Sequence, residues 1–311
     1  MEAYPGNTAK YYYSSWSDRN GFAPWVMALF WIILAFILFQ FGGLIFLLGS
    51  LFVTGEITEF LEEPANIEPY LTYLITGNSI MQILIFAFGT VLFARLSVQS
   101  ADIKSFLRLQ TDNRTVVFSL LAVLLVVFMQ PLIYLLSYLN AQIPLPDFIQ
   151  SFEDSQNELI TGLLTGDQLL LVTLIHIAVV PSVCEEIMYR GYVMRMFERS
   201  VSPAWAILIT GFIFGAYHMR ISQLIPLILL GIVITWLAWK SNSLIPAMAA
   251  HLANNGGSVL LANRYPELAA IEYSETFTLN PLIIGGSIIF SAILVYMISE
   301  KVKKRDGGAQ R

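Results

Sequence analysis

The sequence is poor in charge. Asp, Glu, Lys and Arg make up 13% of its 311 residues, about half the ~25% usual for a soluble domain. With hydrophobic residues at 56% and mean hydropathy at +0.67, that scarcity places most of the chain in lipid. Cysteine occurs once, at Cys184, so no internal disulfide forms and the thiol says nothing of redox compartment. No basic surface suited to nucleic acid is present; the net charge is −5. The N-terminus lacks the basic-then-apolar order of a cleavable signal peptide. Tyr11, Tyr12, Tyr13 and Trp16 read instead as an interfacial aromatic anchor ahead of the first span. Internal repeats, low-complexity tracts, a soluble domain and the HExxH zinc signature are also absent.

What is present is a series of apolar runs. A helix needs about 20 mainly apolar residues to span the hydrocarbon. Eight segments qualify as candidates: 24–53, 71–96, 115–139, 168–194, 204–219, 223–240, 243–263 and 281–299. The expected fold is all-α, a polytopic transmembrane helical bundle of about eight spans. The chain divides into a cytoplasmic N-terminal segment (1–23), accessory spans (24–139) and an extracytoplasmic loop (140–167). A helical core (168–263) and a last loop, span and basic tail (264–311) complete it.

Loop charge sets the orientation. Segments 54–69 and 140–167 carry Glu56, Glu59, Glu62, Glu63, Glu68, Asp147, Glu153, Asp154, Glu158 and Asp167, and no Lys or Arg. Segment 264–280 sets Glu267, Glu272 and Glu275 against Arg264. The alternate loops and tail hold Lys104, Arg108, Arg114, Arg195, Arg199, Lys240, Lys301, Lys303, Lys304 and Arg305. The positive-inside rule then puts both termini in the cytoplasm, as eight spans require, in a cell (inner) membrane. Within the longest loop, Phe148, Ile149, Phe152, Leu159, Ile160, Leu163 and Leu164 suit a helix lying on the outer face as a simple lid.

Against this background the stretch Cys184-Glu185-Glu186-Ile187-Met188-Tyr189-Arg190-Gly191 stands out. A charge at membrane depth costs at least ~2.5–3.5 kcal/mol, so an ionisable cluster there reads as a functional site. Glu186 and Arg190 are four apart with the acid first, the favourable order for a helical ion pair. Glu185 is rotated off that face and left to point into a cavity. The only histidines, His176, His218 and His251, all fall in apolar segments. His251 and Asn255 share a helical face, and Asn254, rotated by about 100°, faces elsewhere.

A carboxylate, two histidines and an asparagine in a dry site support hydrolysis. Glu185 can take a proton from water, a histidine can orient that water, and His251 and Asn255 can donate to a developing oxyanion. Equally, Glu185, His218 and His251 could hold a divalent metal such as Zn; the residues alone leave both readings open. Counting ~1.5 Å per residue, Glu185 lies about 15 Å deep, His251 about 12 Å and His218 about 21 Å. For these to meet, the fifth span must tilt or begin below the membrane surface.

The three stretches EEIMYRG, FGAYH and HLANN resemble the EExxxR, FxxxH and HxxxN motifs of the CPBP family of intramembrane proteases, the CAAX proteases and bacteriocin-processing enzymes. They stand in the family's order, and the likeness covers roughly 168–260. The resemblance implies an eight-span endopeptidase in which Glu185 and His218 activate water and His251 and Asn255 stabilise the oxyanion. Glu186 and Arg190 correspond to the second acid and the arginine. The family is often called metallopeptidases, although a metal-free glutamate mechanism is also proposed for it. Its implied partners are membrane lipid and a membrane-associated protein or peptide, prenylated or bacteriocin-like; nothing in the sequence fixes an oligomeric state.

Other readings attach to the same residues. His176 matches no motif, lies half a turn out of phase with Glu185, and is explained by an interhelical hydrogen bond. Cys184 reads as a small packing residue; Gly211, Gly215 and Gly231 read as sites of close helix approach. Tyr217 and Trp236 read as lining or packing groups. A non-catalytic interaction or immunity protein would use the cluster as a polar network. Interhelical polar contacts are worth only ~0.6 kcal/mol on average, too little to justify burying two acids and an arginine. A proton-coupled transporter would want an inverted repeat, and none is evident.

Overall fold

A computed structural model of the chain describes residues 15–63, 66–98, 103–165, 169–265 and 280–308. Tyr11, Tyr12 and Tyr13 of the expected anchor, most of the last acidic loop and the side chains of Lys303, Lys304 and Arg305 lie outside what is described. The described residues form helices joined by short turns, with no strand among them. They are α1 (Trp16–Arg19), α2 (Pro24–Thr54), α3 (Ile57–Glu62), α4 (Glu68–Ser97), α5 (Ile103–Phe106) and α6 (Thr115–Ala141). There follow α7 (Asp147–Thr165), α8 (Leu170–Glu198), α9 (Pro203–Tyr217), α10 (Ile221–Ser241), α11 (Leu244–Arg264) and α12 (Pro281–Gly308).

All eight expected segments are helical, and the architecture is the expected helical bundle. Six helices, α2, α4, α6, α8, α10 and α12, are long and apolar enough to cross a membrane. The other two differ for physical reasons. α9 has only 15 residues, or about 22 Å of helix. α11 has 21 residues but carries His251, Asn254, Asn255 and Ser258 along its length.

Local chemistry sets the boundaries. Pro24 and Pro203 occupy the first turn of α2 and α9, where a missing N–H costs nothing. Gly55 ends α2 in the left-handed region at φ 83°. Ser243 caps α11 by accepting from the Ile245 N–H. α4 and α8 contain π-helical stretches, at Gln82–Gly89 in α4 and at Leu174–Val179 and Ile187–Val193 in α8. Such stretches often mark functional positions, and the last of them begins directly after the two glutamates.

The layers follow from burial. α2 packs on α4 and α12 on α6, while both turn residues such as Phe41, Ile45, Ile289 and Tyr296 outward. The motif helices α8, α9, α10 and α11 lie inward, with the fully buried Met188, Tyr192, Ile234 and Ala250 between them. At one end of the bundle Arg108 bonds Glu198 at 2.9 Å and Asn242 at 2.9 Å, and Arg195 bonds Glu198 at 2.6 Å. Arg199 pairs with Asp18 at 2.7 Å, tying α1 to α8.

α9 and α10 form a hairpin in near backbone contact, as the glycines suggest. A Cβ on Gly211 would stand 2.7 Å from the Ile232 nitrogen and 2.9 Å from its Cα; one on Gly215 would stand 2.9 Å from the Ile228 nitrogen. Gly211→Ala is therefore expected to cost about 1–3 kcal/mol, the usual range for overpacking. A lowered unfolding temperature in detergent would register it, and an unchanged one would mean that the hairpin yields freely.

α7 is helical as expected, and its polar residues help to hold it in place. Phe148 and Phe152 are exposed, whereas the carboxylate of Glu153 is buried. Glu153 accepts from the backbone N–H groups of Ile221 and Ser222, and Asn157 bonds Arg220. Asn140 of α6 completes the corner: its amide donates to the Ile221 carbonyl and its oxygen accepts from the Ile225 N–H, both at 2.8 Å. The polar backbone of residues 220–225 is thus capped from two neighbouring helices.

Candidate active site

The site is built on α8, where Glu185 and Glu186 are adjacent and face different ways. Glu186 is fully buried, and its Oε1 accepts from Arg190 Nη1 at 2.6 Å, the expected pair. Three further contacts hold the guanidinium. Nε donates to Thr235 Oγ1 at 3.0 Å, Nη2 donates to the Gly231 carbonyl at 3.1 Å, and the Phe214 ring lies 4.4 Å below its carbon. Desolvating both charges is costly, and this density of partners is what offsets it. Gly231 contributes through its carbonyl, and Thr235, one turn on, donates to the same oxygen at 2.6 Å.

Glu186 also does something that the sequence did not reveal. His251 of α11 donates its Nδ1–H to the same Oε1 at 2.9 Å. Glu186 is therefore more than half of an ion pair: it orients the HxxxN histidine. Because a carboxylate paired with arginine only accepts, Nδ1 carries the proton, and in the neutral ring Nε2 keeps its lone pair. His218 is arranged likewise. It follows the last residue of α9, and its Nδ1–H donates to the Phe214 carbonyl at 2.7 Å, again leaving Nε2 as the open nitrogen.

Phe214 ties these groups together. Its ring centroid lies 4.8 Å from His218, 5.8 Å from His251 and 5.3 Å from Tyr189. The two histidines thus pack against one aromatic ring. The short α9 makes this possible. Its end at His218, about 22 Å from Pro203, falls short of a ~30 Å hydrocarbon core, and Met219 turns the chain there at φ 52°.

Glu185 stands apart from the ion pair, and its Oε2 is buried with no hydrogen-bond partner. The other oxygen of Glu186 and the hydroxyl of Tyr217 are likewise buried and unpartnered. Asn255 shares the α8-facing side of α11 with His251, as expected. Pro181 has no N–H to offer the Ile177 carbonyl four residues earlier, and the Asn255 amide donates to that carbonyl at 3.0 Å. One of the two Asn255 N–H groups is thereby spent on helix packing and one remains. Asn254 accepts from Gln130 of α6 at 3.1 Å, as a residue rotated off the Asn255 face should, but its amide also donates to Asn255 Oδ1 at 3.1 Å.

Among the described residues no group of three or more His, Cys, Asp or Glu side chains stands where it could hold a metal ion, and a catalytic zinc site uses three protein ligands. His251 is bonded to Glu186 by Nδ1. His176 lies outside the site: its Nδ1 pairs with Ser79 of α4 at 2.6 Å, the interhelical bond expected of it. Cys184 is buried among Met188, Tyr192 and other apolar side chains, as a packing residue is.

Sequence reasoning gave no role to Phe214 beyond its place in the FGAYH stretch, and it missed Thr235 and the Glu186–His251 bond. The first had a readable signal, because Phe214, Tyr217 and His218 fall at i, i+3 and i+4 and so share one face. The others depend on how α8, α10 and α11 meet, which no local pattern carries.

No curated protein and no solved structure matches the chain. Residues 167–257, which hold Glu185, Glu186, Arg190, His218, His251 and Asn255, match the family model described as Rce1-like, type II CAAX prenyl endopeptidase Rce1-like, the same stretch that carries the resemblance of the motifs to the CPBP family.

Proposed function

We propose that the protein is an intramembrane endopeptidase that hydrolyses a peptide bond of a membrane-associated substrate with water activated by Glu185 and His218. The observation that carries this reading is the division of labour between adjacent glutamates. Glu186 is engaged by Arg190 and His251 through Oε1 and keeps only Oε2 unpartnered, whereas among the described residues no hydrogen bond or ion pair reaches the Glu185 side chain, whose Oε2 is buried. A desolvated carboxylate with nothing to bond is costly to maintain, and a reacting water gives it a partner.

The steps follow from the free atoms. Water hydrogen-bonds Glu185 and the open Nε2 of His218. As its oxygen attacks the scissile carbonyl carbon, the proton passes to Glu185 and the carbonyl electron pair moves onto oxygen. The remaining Asn255 N–H donates to that oxyanion. His251 also donates when doubly protonated, with Glu186 as its counter-charge. Glu185 then returns the proton to the departing amine as the C–N bond breaks. That no group of three metal-binding side chains forms among the described residues supports a reading in which no step runs through a metal.

The matched family's name supports a prenylated CAAX-type chain as the first substrate to test; a bacteriocin-type peptide is the second. Loop charge supports a multi-pass protein of the cell (inner) membrane with both termini cytoplasmic. The deciding experiment reconstitutes the purified protein in nanodiscs with a prenylated peptide and follows release of the C-terminal fragment by mass spectrometry. Cleavage is expected, and it should persist after treatment with EDTA or phenanthroline. Loss of activity on chelation with recovery on added zinc would overturn the metal-free mechanism.

A further inference from the structure

We infer that Tyr217 is a further catalytic residue, its hydroxyl donating a hydrogen bond to the oxyanion formed at the scissile carbonyl. This rests on the endopeptidase reading and deepens it.

The starting point is a shortage of donors. With Nδ1–H of His218 committed to the Phe214 carbonyl and Nδ1–H of His251 committed to Glu186, both rings in their neutral form turn lone pairs outward. Asn255 has one N–H engaged by the Ile177 carbonyl. A site that must stabilise negative charge on oxygen needs fixed donors in a dry environment. The Tyr217 hydroxyl is such a donor: it is buried and has no partner.

Its position is set by packing. Tyr217 shares a helical face with Phe214 and His218. Its ring meets the edges of Phe36 at 5.3 Å, Tyr189 at 5.7 Å and Phe86 at 5.9 Å. Tyr189 lies one turn from Glu185 on α8, so its contact with the Tyr217 ring carries the phenol to the glutamate's side of the site. The two groups nevertheless share no hydrogen bond, since both Glu185 Oε2 and the hydroxyl are orphaned. An unpartnered acceptor and an unpartnered donor on the same side of the site are what a carbonyl undergoing attack by water requires. Water loses its proton to Glu185, and the new oxyanion accepts from Tyr217, which stays protonated throughout.

Packing alone explains the Tyr217 ring but not its hydroxyl, because a phenylalanine would make the same three edge contacts without an orphaned oxygen. Tyr217→Phe separates the two roles. In the nanodisc cleavage assay it is expected to lower kcat roughly 10²–10³-fold, the usual loss of one oxyanion donor, with KM within about twofold. The unfolding temperature should be unchanged, because no existing bond is removed. A kcat within about twofold of the parent would overturn the proposal, as would a loss carried wholly by KM. Glu185→Gln, run alongside, tells the two failures apart: an active Glu185→Gln protein sinks the endopeptidase reading, while an inactive one beside a fully active Tyr217→Phe protein sinks only the role of Tyr217.

Discussion

Glu185→Gln should lower turnover by at least about 10²–10⁴-fold, the contribution of a positioned general base, and leave the fold intact. Glutamine keeps the shape of the side chain and removes its basicity. The oxygen it replaces has no partner to lose, so the unfolding temperature in detergent should barely move. The histidines divide by the same logic. His218→Ala should lose activity with little loss of stability, because its one bond is to a carbonyl of its own helix. His251→Ala should lose both, since it also deprives Glu186 of a partner. Full activity in the Glu185→Gln protein would remove the proposed reaction altogether.

The largest effect on stability is expected at Arg190. Arg190→Met leaves Glu186 as a fully buried carboxylate without its counter-charge, and breaking a buried pair from one side costs about 3–5 kcal/mol. Glu186→Gln combined with Arg190→Met should recover much of that loss, because the double variant no longer buries an unpaired charge. The coupling from a double-mutant cycle measures the pair directly. Activity should not return with stability, for His251 would have lost its orienting carboxylate. Lysine is no substitute: one ammonium cannot reach Glu186, Thr235 and the Gly231 carbonyl in the planar pattern of the guanidinium. A double variant as unstable as Arg190→Met alone would show that packing of the arginine against Phe214, not charge pairing, carries the energy.

How much of this could be read in the sequence depended on range. Helix positions were legible because apolar runs of membrane length announce themselves, and the ends of α2, α8 and α10 fall within a few residues of the expected bounds. The Glu186–Arg190 pair and the common face of His251 and Asn255 were legible because i, i+4 geometry is local. His218 was less so: its apolar segment continues to Met219, but the helix stops at Tyr217 and the chain turns. The amphipathic pattern of α7 pointed to its apolar residues, whereas the side chain that anchors it is the acidic Glu153. The bond from His251 to Glu186, not to Glu185, was out of reach, since two adjacent acids differ only in which neighbouring helix each one meets.

The corner at His218 also bears on the lipid. Because α9 stops short of a full crossing, the depth of the turn is set by Asn140, Glu153 and the glycine hairpin, all of them protein. Open backbone in hydrocarbon is tolerated only when protein covers it, and here the covering helices hold it at one height. A bilayer thicker or thinner than the one the protein is matched to must therefore strain around a fixed catalytic plane, at fractions of a kcal/mol per ångström. Hydrophobic mismatch would be absorbed by the outer helices α2 and α12, which leaves the reacting groups in register whatever the membrane around them.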